Sequence, residues 1–130
     1  MAHVTRYDPD SNRFETLISN VLLVEELIGI MREMQASPHW KPGVDRLAIV
    51  QPGTDLGDFT LADMRARLIA GLEEMEGGEA GFIRRNAWVV DDAASTAILK
   101  LWEFLPERDR FYKFRVFRSA DQAIAWLAED

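Results

Sequence analysis

Residues 47–63 read LAIVQPGTDLGDFTLAD, and this stretch decides how the rest of the chain is arranged. The unbroken apolar run 47–50 is typical of a β-strand that is covered on both faces, which places it near the centre of a sheet. A proline and a glycine then interrupt regular structure, and Thr60, three residues before Asp63, has the spacing of a capping-box variant at a helix start. A buried strand, a loop and a helix in this order predict an α/β fold.

Before this stretch, the sequence predicts a β-hairpin and a first helix. Residues 4–7 and 13–18 are short extended runs, and the residues between them are turn formers. A helix is predicted over 21–35 because apolar residues recur there at spacings of three and four. Its inward residues are Val24, Leu27, Ile28, Met31 and Met34. The segment 37–43, with its prolines and glycine, ends the helix.

After the central stretch, helices and strands continue to alternate. A helix over 61–76 leads to a strand at 82–90, and a helix over 92–105 leads to a strand at 111–118. Helices between strands imply crossover connections, so most neighbouring strands are expected to be parallel.

A last helix is predicted at the end of the chain. Ser119 and Gln122 have the spacing of a full capping box, and the helix that follows is expected to turn Ala123, Ile124 and Leu127 inward. The predicted order is ββαβαβαβα, with about four helices. The predicted fold is α/β, a mixed, mostly parallel five-stranded sheet with an N-terminal hairpin.

Composition narrows the class of protein. The chain has 130 residues, of which 48% are apolar and 28% are charged, so we expect one globular domain over residues 1–130. A net charge of −7 disfavours nucleic-acid binding, because a phosphate backbone would be repelled. No segment approaches the ~18 apolar residues of a membrane span. The lack of cysteine fits a cytoplasmic location and excludes thiolate chemistry.

The C-terminal third resembles the SpoIIAA-like family, a bacterial group related to STAS domains and described as STAS/CRAL-TRIO-like. The residues that carry the resemblance are Ala87, Val89, Val90, Phe114, Val116, Phe117, Ala123, Trp126 and Leu127. All of them are structural residues, so the resemblance bears on fold more than on activity. It implies a non-enzymatic module. STAS relatives imply a protein switch phosphorylated on Ser or Thr after a central strand, whereas the CRAL-TRIO likeness implies a bound lipid or other nonpolar molecule.

By this resemblance, the switch position falls in the loop 51–60. Its Asp-Ser-Ser-Gly type motif is absent, and the hydroxyls available for phosphorylation are Thr54 and Thr60. Asp55 and Asp58 complete the expected ligand or partner loop, although nearby acids oppose a phosphate and Thr60 has a sufficient structural role as a helix N-cap. The acids do not have the spacing of a calcium loop, so no metal site is predicted.

Three aromatic or apolar residues form a second candidate site. Leu99 and Trp102 widen the apolar stripe of the helix predicted over 92–105, and Trp40 lies in the segment that ends the first helix. A stripe this wide indicates either unusual burial or a pocket or interface, and the sequence leaves both open.

The remaining candidates have ordinary structural explanations. Four basic residues are expected on neighbouring strands, namely Arg84, Arg85, Lys113 and Arg115. They are either solvated residues of the sheet edge or a binding site for an anionic group. His3 is expected in a mobile terminus, and neither it nor His39 has the spacing of a metal site.

The sequence favours a cytoplasmic, non-catalytic binding or regulatory module without a cofactor. Its expected partner is a protein or a nonpolar small molecule, with no nucleic acid and no stable membrane insertion, and oligomers remain open. A lipid or hydrophobic small-molecule carrier and a threonine-phosphorylated switch are the alternatives. Catalysis is the least favoured reading, since no catalytic motif is present.

Overall fold

The computed structural model describes residues 3–41, 43–55, 66, 83–91 and 113–129. They form five strands and two helices, which are β1 (His3–Asp8), β2 (Arg13–Ile18), α1 (Val24–Ala36), β3 (Val44–Val50), β4 (Ile83–Val90), β5 (Lys113–Phe117) and α2 (Ala120–Leu127). The helices predicted over 61–76 and 92–105 lie outside these residues, apart from the isolated residue 66.

The five strands form one sheet in the order β1-β2-β3-β4-β5. The pair β1–β2 is antiparallel, and the three other pairs are parallel. The mixed, mostly parallel sheet with an N-terminal hairpin is therefore confirmed, and so is the central place of β3. The hairpin turn closes through the Tyr7 hydroxyl, which donates to Asn12 Oδ1 at 2.8 Å, and Asn12 itself adopts φ 51°.

One face of the sheet packs under α1. The inward helix residues Leu27, Met31 and Met34 are buried as predicted, together with Ile30, which the predicted stripe omits. The sheet contributes Phe14, Ile18, Val44, Ala48, Val50, Trp88, Val90, Phe114 and Val116 to the same core.

A buried arginine lies in the middle of this core. Arg46 on β3 is 1% exposed. Its Nη1 lies 3.6 Å from the sulfur of Met31, and its guanidinium lies 5.3 Å from the centre of the Trp88 ring. A cation over an aromatic face keeps favourable electrostatic contact in a site that excludes water. β3 thus brings a charge into the interior at the residue that directly precedes its apolar run 47–50.

The other face of the sheet packs against α2. Ala123, Trp126 and Leu127 are buried on this helix, while Ile124 is 38% exposed, so the prediction that Ile124 points inward is wrong. Each helical residue turns about 100°, and Trp126, not Ile124, completes the face that begins at Ala123. Ser119 occupies the N-cap position but makes no side-chain capping bond, so the expected capping box is not formed.

The orientation of α2 predicts unequal costs for two truncations on the same helix. We expect Leu127→Ala to lower the free energy of unfolding by about 2–5 kcal/mol, as removal of a buried leucine does. Ile124→Ala truncates a side chain of similar size that is exposed to solvent, so we expect it to change the free energy of unfolding by no more than about 0.5 kcal/mol. Urea denaturation of both variants measures the difference. Equal losses would contradict the observed rotation of the helix.

Candidate functional site

The carboxyl ends of β2 and β3 carry two loops, 19–23 and 51–55, that are hydrogen-bonded to each other. The N–H of Asp55 donates to the carbonyl of Asn20 at 2.7 Å, and the N–H of Leu22 donates to the carbonyl of Asp55 at 3.0 Å. These bonds extend the parallel pairing of the two strands beyond the sheet. The loops therefore form one surface at the edge where α/β proteins commonly bind ligands.

Thr54 holds the second loop from inside. It is 7% exposed, and its hydroxyl donates to the carbonyl of Gln51 at 2.7 Å. The N–H of Gln51 donates in turn to the carbonyl of Ile18 at 2.8 Å. Gly53 has φ +84°, a conformation that glycine adopts without the strain a side chain would bring. Phosphorylation of Thr54 would require this loop to open, because its oxygen is already bonded and buried.

The two loops place apolar side chains in solvent. Val21 is 44% exposed and Leu23 is 38% exposed, while Leu22 between them is fully buried. The helix predicted from residue 21 in fact begins at Val24, so the prediction that these residues belong to it is wrong. Asn20 has φ 66°, and this left-handed turn directs the chain along the 51–55 loop before the helix starts. The signal in the sequence is Asn20 itself, because asparagine often adopts the left-handed conformation and here it directly precedes the apolar residues 21–24.

Of the four residues predicted for the ligand or partner loop, the structure describes Thr54 and Asp55. Thr54 is buried, and Asp55 is exposed beside Val21, with which it forms a parallel β-bridge. Asp58 and Thr60 lie outside the described residues.

The second candidate site is not assembled at this edge. Trp40 is half-buried and packs on Phe14, with ring centres 6.0 Å apart. Phe14 pairs with Arg46, whereas the 51–55 loop begins after Val50, roughly 13 Å farther along the strand. Trp40 and the loop thus lie towards opposite ends of the sheet. Leu99 and Trp102 lie outside the described residues.

An apolar groove of about 300 Å³ opens on the sheet face opposite α1, over β1, β2 and β3. It is lined by Val4, Arg6, Glu15, Thr16, Leu17 and Ile49. Val4 is 67% exposed and Leu17 is 42% exposed, so its floor is accessible to solvent. At one end, Arg6 and Arg13 both bind the carboxylate of Glu15, at 2.7 and 2.9 Å.

Three of the four expected basic residues make contacts within the fold. Arg85 is buried and donates to the backbone carbonyls of Trp126 and Glu129 at the C-terminal end of α2, where cations are favoured. Arg84 forms an ion pair with Asp45 at 3.3 Å. Arg115 lies 5.7 Å from the ring centre of Trp126. The contacts of Arg85 and Arg115 fasten α2 to the sheet, and the Arg84 ion pair joins β4 to β3. Fewer basic side chains are therefore free to bind an anion than the sequence suggests.

Other classes of site were sought in the same residues. Within 3–41, 43–55, 66, 83–91 and 113–129, no group of three or more acidic or histidine side chains is arranged to hold a metal ion. None of the helices in this part of the chain has the length and apolarity to span a membrane. His39 stacks on Tyr7, with ring centres 4.4 Å apart and an angle of 5°.

Comparison with known proteins gives the fold a name. The chain is similar to an uncharacterized protein of the DUF3478 family from Shewanella loihica PV-4, whose crystal structure has a SpoIIAA-like fold. The match covers 98% of this chain and 93% of that one, at 16% identity and a TM-score of 0.54. The chain therefore has a SpoIIAA-like fold. No family model and no curated protein matches it.

The buried hydroxyl of Thr54 predicts a specific pair of substitutions. Thr54→Val keeps the shape but removes the hydroxyl donor to the Gln51 carbonyl, which then accepts only the Thr54 N–H at 3.2 Å. We therefore expect a loss of about 1 kcal/mol in the free energy of unfolding. Thr54→Ser retains the hydroxyl and is the matched control. Amide exchange at Leu22 and Asp55, which report on the bonds between the loops, measures the local effect. The same exchange in both variants would show that the hydroxyl does not hold the loop.

Proposed function

We propose that this protein is a non-catalytic binding or regulatory module of the STAS type, which binds a protein partner through loops 19–23 and 51–55. The observation that carries the proposal is the exposure of Val21 and Leu23 beside Asp55 at the carboxyl edge of the parallel strands. The SpoIIAA-like fold supports a STAS-type domain in general terms. We further propose that the protein acts in the cytoplasm and carries out no reaction of its own.

The physical basis of the proposal is an apolar pair on a fixed support. A partner that covers the exposed Val21 and Leu23 removes their apolar surface from water. This burial stabilises the complex by roughly 25 cal/mol per Å² of apolar surface. The backbone bonds between the loops already fix their shape, so little conformational entropy is lost on binding. Asp55 at the rim adds a charge that favours a partner with a basic residue facing it.

Site-specific photo-crosslinking in cells that naturally express the chain tests this proposal. Leu23 and Ile124 are each 38% exposed, so a photoreactive residue at position 124 is a matched control for one at position 23. We expect discrete protein adducts from position 23 and not from position 124, and we expect Val21→Asp to reduce them at least about tenfold, as loss of a central contact does. Identical adducts at the two positions, or none at 23, would overturn the proposal.

A nonpolar small molecule in the groove is a second candidate, favoured by the groove itself. Its volume of about 300 Å³ lies at the lower end of small-molecule pockets, and Val4, Leu17 and Ile49 supply an apolar floor. The ion pair of Arg6 with Glu15 closes one end without placing a free charge over that floor. This candidate corresponds to the CRAL-TRIO-like alternative, at a different place from the expected Trp40, Leu99 and Trp102.

Native mass spectrometry of the freshly purified protein, with uptake of an apolar fluorescent dye, checks this second candidate. We expect a bound mass or saturable dye uptake, lost in Leu17→Lys because a charge would enter the groove floor. Leu23→Lys changes an exposed leucine outside the groove and should leave dye uptake intact. The absence of both added mass and dye uptake, or an equal response of the two variants, would remove the groove as a ligand site.

A further inference from the structure

One histidine is bound by two glutamates from another element. The Nδ1 atom of His3 on β1 lies 2.9 Å from Glu26 Oε2, and its Nε2 atom lies 3.0 Å from Glu33 Oε2. The two glutamates are seven residues apart on α1, two helical turns along one face. An ionised carboxylate only accepts hydrogen bonds, so both ring nitrogens must donate. With both carboxylates ionised, this geometry favours the imidazolium form of His3.

Among the described residues around His3, Glu26 and Glu33 are the charged groups that contact its ring. Its side chain is 12% exposed, compared with 21% for Glu26 and 51% for Glu33. On β2, the facing residues Leu17 and Ile18 carry no charge. Next on the same face of β1 lies Thr5, an uncharged residue whose hydroxyl is bonded to that of Thr16 at 3.1 Å.

The contact joins the edge of the sheet to the helix above it. Among the described residues, β1 pairs with β2 alone, so within this sheet it is an edge strand with one hydrogen-bonded neighbour. His3 is its first residue, where strands tend to fray. The two bonds to α1 therefore secure the first residue of an edge strand.

We propose that His3, Glu26 and Glu33 form a pH-sensitive latch that holds the N-terminal end of β1 on α1 in mild acid and releases it in mild base. When the imidazolium loses a proton to solvent, one ring nitrogen becomes an acceptor facing a carboxylate. That contact then changes from attractive to repulsive, and the two glutamates lose the positive charge between them.

The direction of the pH dependence follows from the same contacts. Burial alone would lower the pKa of His3, but the hydrogen bonds and negative charges of Glu26 and Glu33 outweigh it and raise the pKa above its ordinary value of 6.5. A group with a raised pKa in the folded state stabilises that state fully below its unfolded pKa. This stabilisation is lost as pH rises through the folded pKa, so the latch opens towards basic pH.

The latch lies beside both candidate surfaces, although its existence does not depend on either proposed function. Ile18 pairs with His3, and its carbonyl accepts the N–H of Gln51 at the start of the candidate loop. The next residue of β1, Val4, lines the groove. Release of this strand end would loosen part of the groove floor and one support of the loop.

An NMR titration of the intact protein tests the charge state. The chain has two histidines, and His39, which is stacked on Tyr7, is the internal reference. We expect the His3 ring to titrate at a higher pH in the folded protein than in urea, and we expect Glu26→Gln and Glu33→Gln each to lower that midpoint. A folded midpoint equal to the one in urea, or one unmoved by both variants, overturns the latch.

Hydrogen exchange tests the release of the strand. Protection of the Val4 amide, divided by that of Ala48 on β3 and corrected for the intrinsic rates, should fall about threefold between about pH 5.5 and 8, which matches the strength of a partly exposed ion pair. His3→Gln should remove this pH dependence. Glu33→Gln, a change at a half-exposed residue, is the second variant and should weaken it. A ratio that does not change with pH in the wild-type protein overturns the release.

Discussion

The structure depends on the burial of β3 on both faces. Its even-numbered residues from Val44 to Val50 pack under α1, and its odd-numbered residues Leu47 and Ile49 face α2. A strand buried in this way must have a paired neighbour on each side, because its backbone groups have no access to water. The parallel pairs with β2 and β4 meet that requirement, and they fix the register of the sheet around β3.

The position of β3 also determines where recognition can occur. Parallel pairing brings the carboxyl ends of β2 and β3 to the same edge, so the loops that follow them become neighbours. The backbone bonds between Asp55, Asn20 and Leu22 then make one rigid surface from two segments that are distant in sequence. On the face occupied by α2, the helix packs on the central and C-terminal strands, and the groove remains open above the hairpin. The two proposed binding surfaces are both consequences of this layered arrangement.

Local patterns in the sequence predicted the sheet well. The turn formers between the first two strands, the unbroken apolar run of β3 and the stripe of α1 each reflect interactions within a few residues. The errors arose where distant contacts decide the structure. Val21 leaves the helix because it pairs with Asp55, and His3 belongs to β1 and bonds to α1 instead of lying in a mobile terminus. No short sequence window contains either partner.

The buried charged residues also depend on contacts between residues that are distant in sequence, and the sequence did not predict them. A basic side chain on a strand is usually solvated, and composition alone gave no reason to expect Arg46 in the core or Arg85 at the end of α2. Arg46 is accommodated by the Trp88 ring, and Arg85 by the backbone carbonyls of Trp126 and Glu129 at the C-terminal end of α2. The site roles expected of Asp58, Thr60, Leu99 and Trp102 stay predictions from the sequence.

Native-state hydrogen exchange in low concentrations of denaturant tests the central role of β3 most directly. If β3 is the element on which the sheet is built, its amides and those bonded to it from β2 and β4 will exchange only through global unfolding, with one shared free energy. Exchange of the β3 amides through local openings, at free energies as low as those of the edge strand β1, would contradict this account.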